Sequence, residues 1–369
     1  ALPIYQHVTR LGRVGLSQHK ARRRCKRHAG HALEFARQHG AATELAQHVM
    51  KLAVEHHIAR EGWVIECGRG QHQINVIQTR MGAGQQGRGH TLLRCRLRSQ
   101  AFNGAAQGVT REQVLQAAKP VVMFVDTFNG YFESENAFAA MRVLKAAGYS
   151  VHVASKQGLS NATGSKHLCC GRTYLANGMV DMAREQAREL VNALLPFAEK
   201  QIAIVGLEPS CLLTLRDEAL VLGLGDAAQV VSQQAMLLEE FLARENQNKQ
   251  LEGLKEKLNA AEQPILLHGH CHQKAFGVMS PVMEVIGLIP NAKLELIESS
   301  CCGMAGSFGY EANHLEVSMQ MAELSLLPAV RAKADAIVVA DGTSCRHQIK
   351  DGANRDAIHV AQLLSQHLQ

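Results

Sequence analysis

Aspartate is absent from the first 110 of the 369 residues, and no proline stands between Pro3 and Pro120. Over those 110 residues 17 Lys and Arg face 5 Glu, a net charge of +12, whereas the remainder, with 22 against 28, is at −6. Aromatic residues make up only 4% of the chain, with one tryptophan, which argues against a surface of base-stacking platforms. No stretch approaches eighteen consecutive apolar residues, so a transmembrane helix is not expected. The opening ALPIYQHVTRLGRVG has neither an apolar h-region nor a small-residue cleavage site, so a secretory leader is not expected either. The setting expected from these absences is cytoplasmic, at most peripheral to the inner face of a membrane. There, ten cysteines read as metal-binding or catalytic before they read as disulfides.

The basic N-terminal part holds ten of the nineteen histidines and the cluster Arg22, Arg23, Arg24, Lys26 and Arg27. Such a cluster can bind nucleic acid, but the scarcity of aromatics makes a solvated segment the better reading. Helical spacing shows only at 32–57, and a short strand is possible at 74–77. Gly82, Gly84 and Gly87 fit GxGxxG, but Gly89 and His90 follow where a nucleotide-binding helix should open. Residues 1–118 are expected to be a poorly structured basic segment, disordered or derived from an altered reading frame.

From Lys119 the pattern changes. Pro120 opens an apolar run to Val125 that reads as a buried parallel strand. A helical pattern over 137–147, capped by Gly148, and a strand at 150–154 follow. A helix over 178–197, a strand at 201–206 and a helical stretch at 215–222 complete the series. The second half repeats it: a strand at 264–268, a helix at 281–289, a strand at 292–297, a helix at 314–333 and a strand at 336–340. Leu168-Cys169-Cys170-Gly171 matches Ser300-Cys301-Cys302-Gly303, and the segment ending Pro209-Ser210-Cys211 matches that ending Thr343-Ser344-Cys345. The expected fold is therefore α/β: two tandem Rossmann-like β/α repeats with small parallel sheets. The first repeat is assigned to 119–226, a helical connector to 227–263 and the second repeat to 264–369.

Ligand sites in such sheets lie beyond the carboxyl ends of strands, which is where the repeated cysteines fall. The second copy offers four, Cys271, Cys301, Cys302 and Cys345. Four thiolates suit a [4Fe–4S] cluster, although zinc or Cu(I) would also accept them. The first copy offers three, Cys169, Cys170 and Cys211, because Thr127 stands where Cys271 would align. Glycine after each pair, Gly171 and Gly303, allows the sharp turn that aims adjacent thiols at one site. His268, His270 and His272 surround Cys271, and Lys274 and Arg346 add positive charge nearby. Cys25, Cys67 and Cys95 have no repeated partners.

With these residues in view, the chain from about 119 onward resembles the CCG, or cysteine-rich, domain family. That family includes a cysteine-rich subunit of heterodisulfide reductase and the iron–sulfur subunits of glycolate oxidase and anaerobic glycerol-3-phosphate dehydrogenase. The chain is most similar to the C-terminal part of fused FAD-linked proteins that oxidise D-lactate or D-2-hydroxyglutarate. The resemblance rests on 206–218, 268–274, 301–310 and 341–348. It implies an electron conduit from reduced FAD, held on another domain or on a flavoprotein partner, to a quinone or other carrier. It also implies that the seven repeated cysteines are cluster ligands, with Thr127 a departure that leaves the first set short. A disulfide-reducing enzyme and a zinc-stabilised binding domain are the alternatives.

Overall fold

The computed structural model describes residues 108–155, 168–311 and 313–369, Phe102, and three strands nearer the N-terminus. The chain divides into two units, Ala1–Ser99 and Gln100–Gln369. In the first, β1 (Trp63–Cys67), β2 (Gln73–Gln78) and β3 (Leu92–Arg96) pair antiparallel in the order β1-β2-β3. The possible strand at 74–77 lies inside β2. The segment expected to be poorly structured thus contains a three-stranded sheet, where Val64, Ile65, Ile74, Val76 and Ile77 supply β-branched residues. The element described after the GxGxxG stretch is β3, antiparallel to β2, where a dinucleotide fold needs a helix. The helix expected at 32–57 and the basic cluster lie outside the described residues.

The second unit is α/β, as expected, with two four-stranded, all-parallel sheets of identical topology. The first runs β5 (Ser150–Val153), β4 (Pro120–Phe124), β6 (Ile204–Gly206), β7 (Ala235–Leu237). The second runs β9 (Leu294–Leu296), β8 (Ile265–His268), β10 (Ile337–Ala340), β11 (Ala357–Ile358). Both follow the order second-first-third-fourth, so chain direction across each sheet switches between the first and third strands, β4 and β6 or β8 and β10. Crevices at such switch points are where open α/β sheets bind ligands.

Period-two alternation gives each sheet two buried faces. Val121, Met123 and Val125 point one way from β4, and Val122 and Phe124 the other. The first face joins Ile265, Leu267 and Val339 of the second sheet in one core. That core is filled by α2 (Ser134–Ala146), α5 (Leu238–Gln247), α7 (Met279–Ile286) and α11 (Val360–Gln366). The outer face of the first sheet is covered by α1 (Arg111–Gln116), α3 (Val180–Ala198) and α4 (Asp226–Gln234). That of the second is covered by α9 (Leu326–Ala332) and α10 (Thr343–Ala353). The two repeats therefore share their central helical layer. Each fully buried Leu, Ile or Phe in it contributes about 1.5–3 kcal/mol.

Three local findings refine the reading from sequence. The stretch at 227–263 is more than a helical connector: Ala235–Leu237 is the fourth strand of the first sheet, and α5 occupies the place that α11 takes in the second repeat. Short strands of this kind lack enough residues to show a period. Helix α2 ends as Gly148 predicts, with φ +86°, Tyr149 N donating to Leu144 O and Gly148 N to Lys145 O. The single helix expected over 314–333 is two, α8 (Leu315–Glu323) and α9. Pro328 has no N–H to offer the carbonyl of Leu324, so the helix breaks there and restarts with proline in its first turn. Among the described residues no helix is long and apolar enough to cross a membrane.

Candidate metal centre

The seven repeated cysteines gather at the carboxyl ends of the strands, all as free thiols. Cys271 is the first residue of α6 (Cys271–Ala275), directly beyond β8. Cys301 and Cys302 lie in the loop after β9, and Cys345 is the third residue of α10, beyond β10. In the first copy Cys169 and Cys170 lie after β5, and Cys211 is the third residue of the short helix Pro209–Leu212 beyond β6. The sequence places all of them in loops. Three instead occupy first turns of helices, where the positive end of the helix dipole favours a thiolate.

In the second copy the thiols form a contact chain in which Cys271 and Cys302 hydrogen-bond to Cys301, and Cys302 also to Cys345. The Cys271 bond, with that of Cys302, holds Cys301 far below the usual thiol range, and the Cys302 bond does the same for Cys345. Cys271 and Cys302 are pushed up by those bonds and by burial. Gly303 N donates to Cys301 Sγ at 3.3 Å.

His268 completes this centre. A ring nitrogen of His268 and the sulfurs of Cys302 and Cys345 all lie within 4.8 Å of one another. Its Nδ1 meets Ser299 Oγ at 2.9 Å, and the ring also bonds the Cys345 thiol and helps to hold it down. His270 and His272 flank Cys271, their rings stacked at 5.1 Å. Burial, then His270 and Arg172 of the first repeat, lower His272 to about 4, so its imidazole is neutral. Lys274 is lowered by burial and donates to Ser299 O and Ser300 O.

The backbone at both cysteine pairs requires glycine. Gly171 has φ +83° and Gly303 φ +88°. A Cβ would stand 2.5 Å from Ala183 O at the first and 2.1 Å from Ser318 O at the second. The first pair is thus pressed against α3 and the second against α8.

The first copy is built alike but charged differently. Cys169, Cys170 and Cys211 form the corresponding chain, and the Thr127 hydroxyl hydrogen-bonds Cys169. Thr127 therefore sits at the thiol site, as its alignment with Cys271 predicts. Asp126, the counterpart of His270, is 1% exposed and caps the following turn, with Phe128 N at 2.9 Å and Asn129 Nδ2 at 2.6 Å. Burial, then Glu208, raise its carboxyl to about 6. The Cys170 bond lowers Cys211, but burial and the carboxylates of Asp126 and Glu208 outweigh it and push that thiol up to about 12. The thiols of the second copy are surrounded by imidazoles, and those of the first by acids. The side chains of Cys25, Cys67 and Cys95 lie outside the described residues.

A seam of buried polar residues, of which sequence reasoning singled out Arg346 but not its partners, joins the copies. Arg346 is 4% exposed. Its Nε donates to Glu133 Oε1 at 3.0 Å, Nη2 to Glu133 Oε2, and Nη1 to the carbonyls of Ala340 and Asp341 at 2.7 Å. Burial raises the Glu133 carboxyl, but the Arg346 guanidinium outweighs it and holds the group down at about 2. Asp341 accepts from Gln273 Nε2 at 2.7 Å and Val360 N at 3.0 Å. His359 Nε2 meets Leu207 O at 3.0 Å. Glu239 lies against Asp341 and His359 with neither oxygen hydrogen-bonded, and burial raises its carboxyl well above the usual range.

Comparison with known proteins agrees with this duplicated plan. The family model for the cysteine-rich domain, CCG, matches residues 135–216 and 265–350. A subunit of anaerobic glycerol-3-phosphate dehydrogenase from Escherichia coli (strain K12) is 26% identical over 257 residues, covering 69% of this chain and 61% of that one. D-2-hydroxyglutarate dehydrogenase of Pantoea ananatis is 25% identical over 274 residues, 73% of this chain and 25% of the relative. The Pseudomonas putida enzyme of the same name is 26% identical over 282 residues, 76% and 25%. The chain thus spans about three-fifths of the first relative and a quarter of the others.

Proposed function

We propose that this chain, whose two repeats match the CCG cysteine-rich domain over 135–216 and 265–350, is an iron–sulfur electron-transfer module of a flavin-linked 2-hydroxyacid oxidoreductase. The observation that carries the reading is the contact chain of Cys271, Cys301, Cys302 and Cys345 at the switch point of the second sheet. These four residues would hold the cluster. Their neighbours push the Cys301 and Cys345 thiols down, toward the thiolate form that binds iron. When bound, an iron–sulfur cluster supplies one-electron chemistry.

The protein's own residues define the rest. Gly303 turns the cysteine pair toward the crevice, and Met304 and Ile297 pack beside it in the core that excludes water. His268 brings a ring nitrogen to the sulfurs of Cys302 and Cys345, where an N–H would stabilise negative charge. Cys271 and Cys301 remain partly exposed, the side from which an electron would enter or leave.

The first copy, with Thr127 and its acids, would hold a weaker three-thiol set through Cys169, Cys170 and Cys211. The electron donor would be a reduced flavin on a partner or another domain, and the acceptor a quinone or other carrier. Both roles rest on likeness to relatives of which the chain spans about three-fifths or a quarter, and the [4Fe–4S] form rests on the set of four thiols. A zinc-binding domain is the second reading, because His268 with Cys302 and Cys345 also makes a mixed nitrogen and sulfur donor set. Anaerobic purification followed by mixing with a reduced flavoprotein dehydrogenase tests the proposal. Bleaching of the visible cluster absorption supports electron transfer, whereas a colourless zinc protein would overturn it.

A further inference from the structure

Helix α10, which carries Cys345, has glycine at its N-cap and no capping side chain of its own. Space dictates that glycine. A Cβ on Gly342 would lie 2.3 Å from His270 Cδ2 and 3.2 Å from Cys345 Sγ. The amide of Thr343, first residue of the helix, has no acceptor within α10 and must find one elsewhere. It finds it on the other repeat, donating to Glu208 Oε2 at 2.8 Å in a fully buried contact.

Glu208 also serves its own helix. Its Oε1 accepts from Ser210 N at 3.4 Å and from Ser210 Oγ at 2.8 Å, capping Pro209–Leu212, which carries Cys211. In the alignment of the repeats Gly342 is the counterpart of Glu208. One carboxylate, 2% exposed, thus caps both cysteine-bearing helices, its own and the one whose matching position has no room for a side chain. A second carboxylate of the first repeat, Glu133, takes the Thr343 hydroxyl at 2.7 Å and so reinforces the same turn.

We propose that Glu208 is a positioning residue that ties the first turns of the two cysteine-bearing helices together. The second-repeat site is then complete only with a carboxylate donated by the first repeat. The inference rests on the reading of the cysteines as ligands, but the bridge itself can be tested without any metal bound.

The test compares the full-length chain as purified with Glu208→Asp, Glu208→Gln and, as an exposed control, Glu256→Gln. Aspartate keeps the charge and can cap Ser210, but it is one methylene too short to reach Thr343. Glutamine keeps the reach but has only one acceptor oxygen. Peptide-resolved hydrogen exchange should quicken at 343–346 in Glu208→Asp by roughly ten-fold or more, the usual worth of a hydrogen bond to a charged group. Exchange at 209–212 and in β4 should stay as in the parent. Alkylation of buried Cys345 should quicken in parallel, while that of Cys301 should not. After anaerobic loading with iron, the EPR line shape of the second-repeat centre should change in Glu208→Asp and not in Glu256→Gln.

Uniform quickening across the chain would reduce Glu208 to a general stabiliser and overturn the proposal. So would unchanged exchange at 343–346, or an unchanged line shape. Failure to take up iron would instead count against the proposed function, leaving the exchange and alkylation results to decide on the bridge.

Discussion

Replacing Glu133 by Gln removes the negative partner of Arg346 at nearly constant volume, and its cost can be worked in two independent ways. Arg346 is 4% exposed and makes its charge-assisted bonds to this one carboxylate. Stripping a buried ion of its partner costs about 3–5 kcal/mol. The carboxyl titration supplies the other figure. Folding holds Glu133 at about 2 instead of the ordinary 4.5, and each unit is worth about 1.4 kcal/mol, giving about 3 kcal/mol. Glu133 is 23% exposed on its side chain, so water screens the pair and the lower end of the range applies. Because the folded value is depressed, the contribution is complete above the unfolded value near 4.5 and is lost as pH falls toward 2. Urea unfolding of the full chain at pH 7 should therefore show Glu133→Gln less stable by about 3 kcal/mol. The gap to the parent should close as the buffer is taken from about pH 5 to about pH 3. A loss below about 1 kcal/mol, or one equal at both ends of that window, would refute the reasoning. Converting both partners to Met should recover most of the loss, since a buried pair can be replaced by packed apolar groups at little cost.

Three further outcomes follow from the geometry. Gly303→Ala should cost about 1–3 kcal/mol more than Gly148→Ala in the same unfolding assay. Both have positive φ, but only the former would press a Cβ against a backbone oxygen, at 2.1 Å, whereas Gly148 faces open space; equal losses would show that the contact yields freely. Glu239→Gln should stabilise the protein by about 1–3 kcal/mol at pH 7, because a buried carboxyl beside Asp341 and Glu240 has no hydrogen-bond partner. Its folded value is raised, so the gain should shrink as pH falls from 7 and be gone by about 4.5, the unfolded value; destabilisation would show that the carboxylate is satisfied. Thr127→Cys should raise the iron bound per chain by giving the first copy its fourth thiol next to Cys169, and an unchanged iron content would mean that Asp126 and Glu208 keep that site closed.

The parallel β/α plan was legible because Pro120–Phe124 and Ile265–His268 are continuous apolar runs, and because a CCG segment follows each of them in the same order of elements. The inequality of the two sites was legible in Thr127 alone. Short strands such as Ala235–Leu237 were not, since three residues carry no period. The polar seam was also hidden, for Glu133, Asp341 and Arg346 are brought together by the packing of one repeat on the other. A signal for Glu208 did exist. A carboxylate directly before Pro209 is an N-cap followed by proline at the first helical position. Its reach to Thr343, 135 residues away, could not be read from that signal.

Iron and sulfide per chain, measured after anaerobic reconstitution of the parent and of single Cys→Ser variants, bear most directly on the thiol centre. The account predicts roughly four irons per chain, one cubane cluster's worth. Most of the iron should be lost when Cys271, Cys301, Cys302 or Cys345 is replaced, and little when Cys169 or Cys211 is. Stoichiometric zinc with no visible absorption, or iron that survives replacement of Cys345, would contradict it.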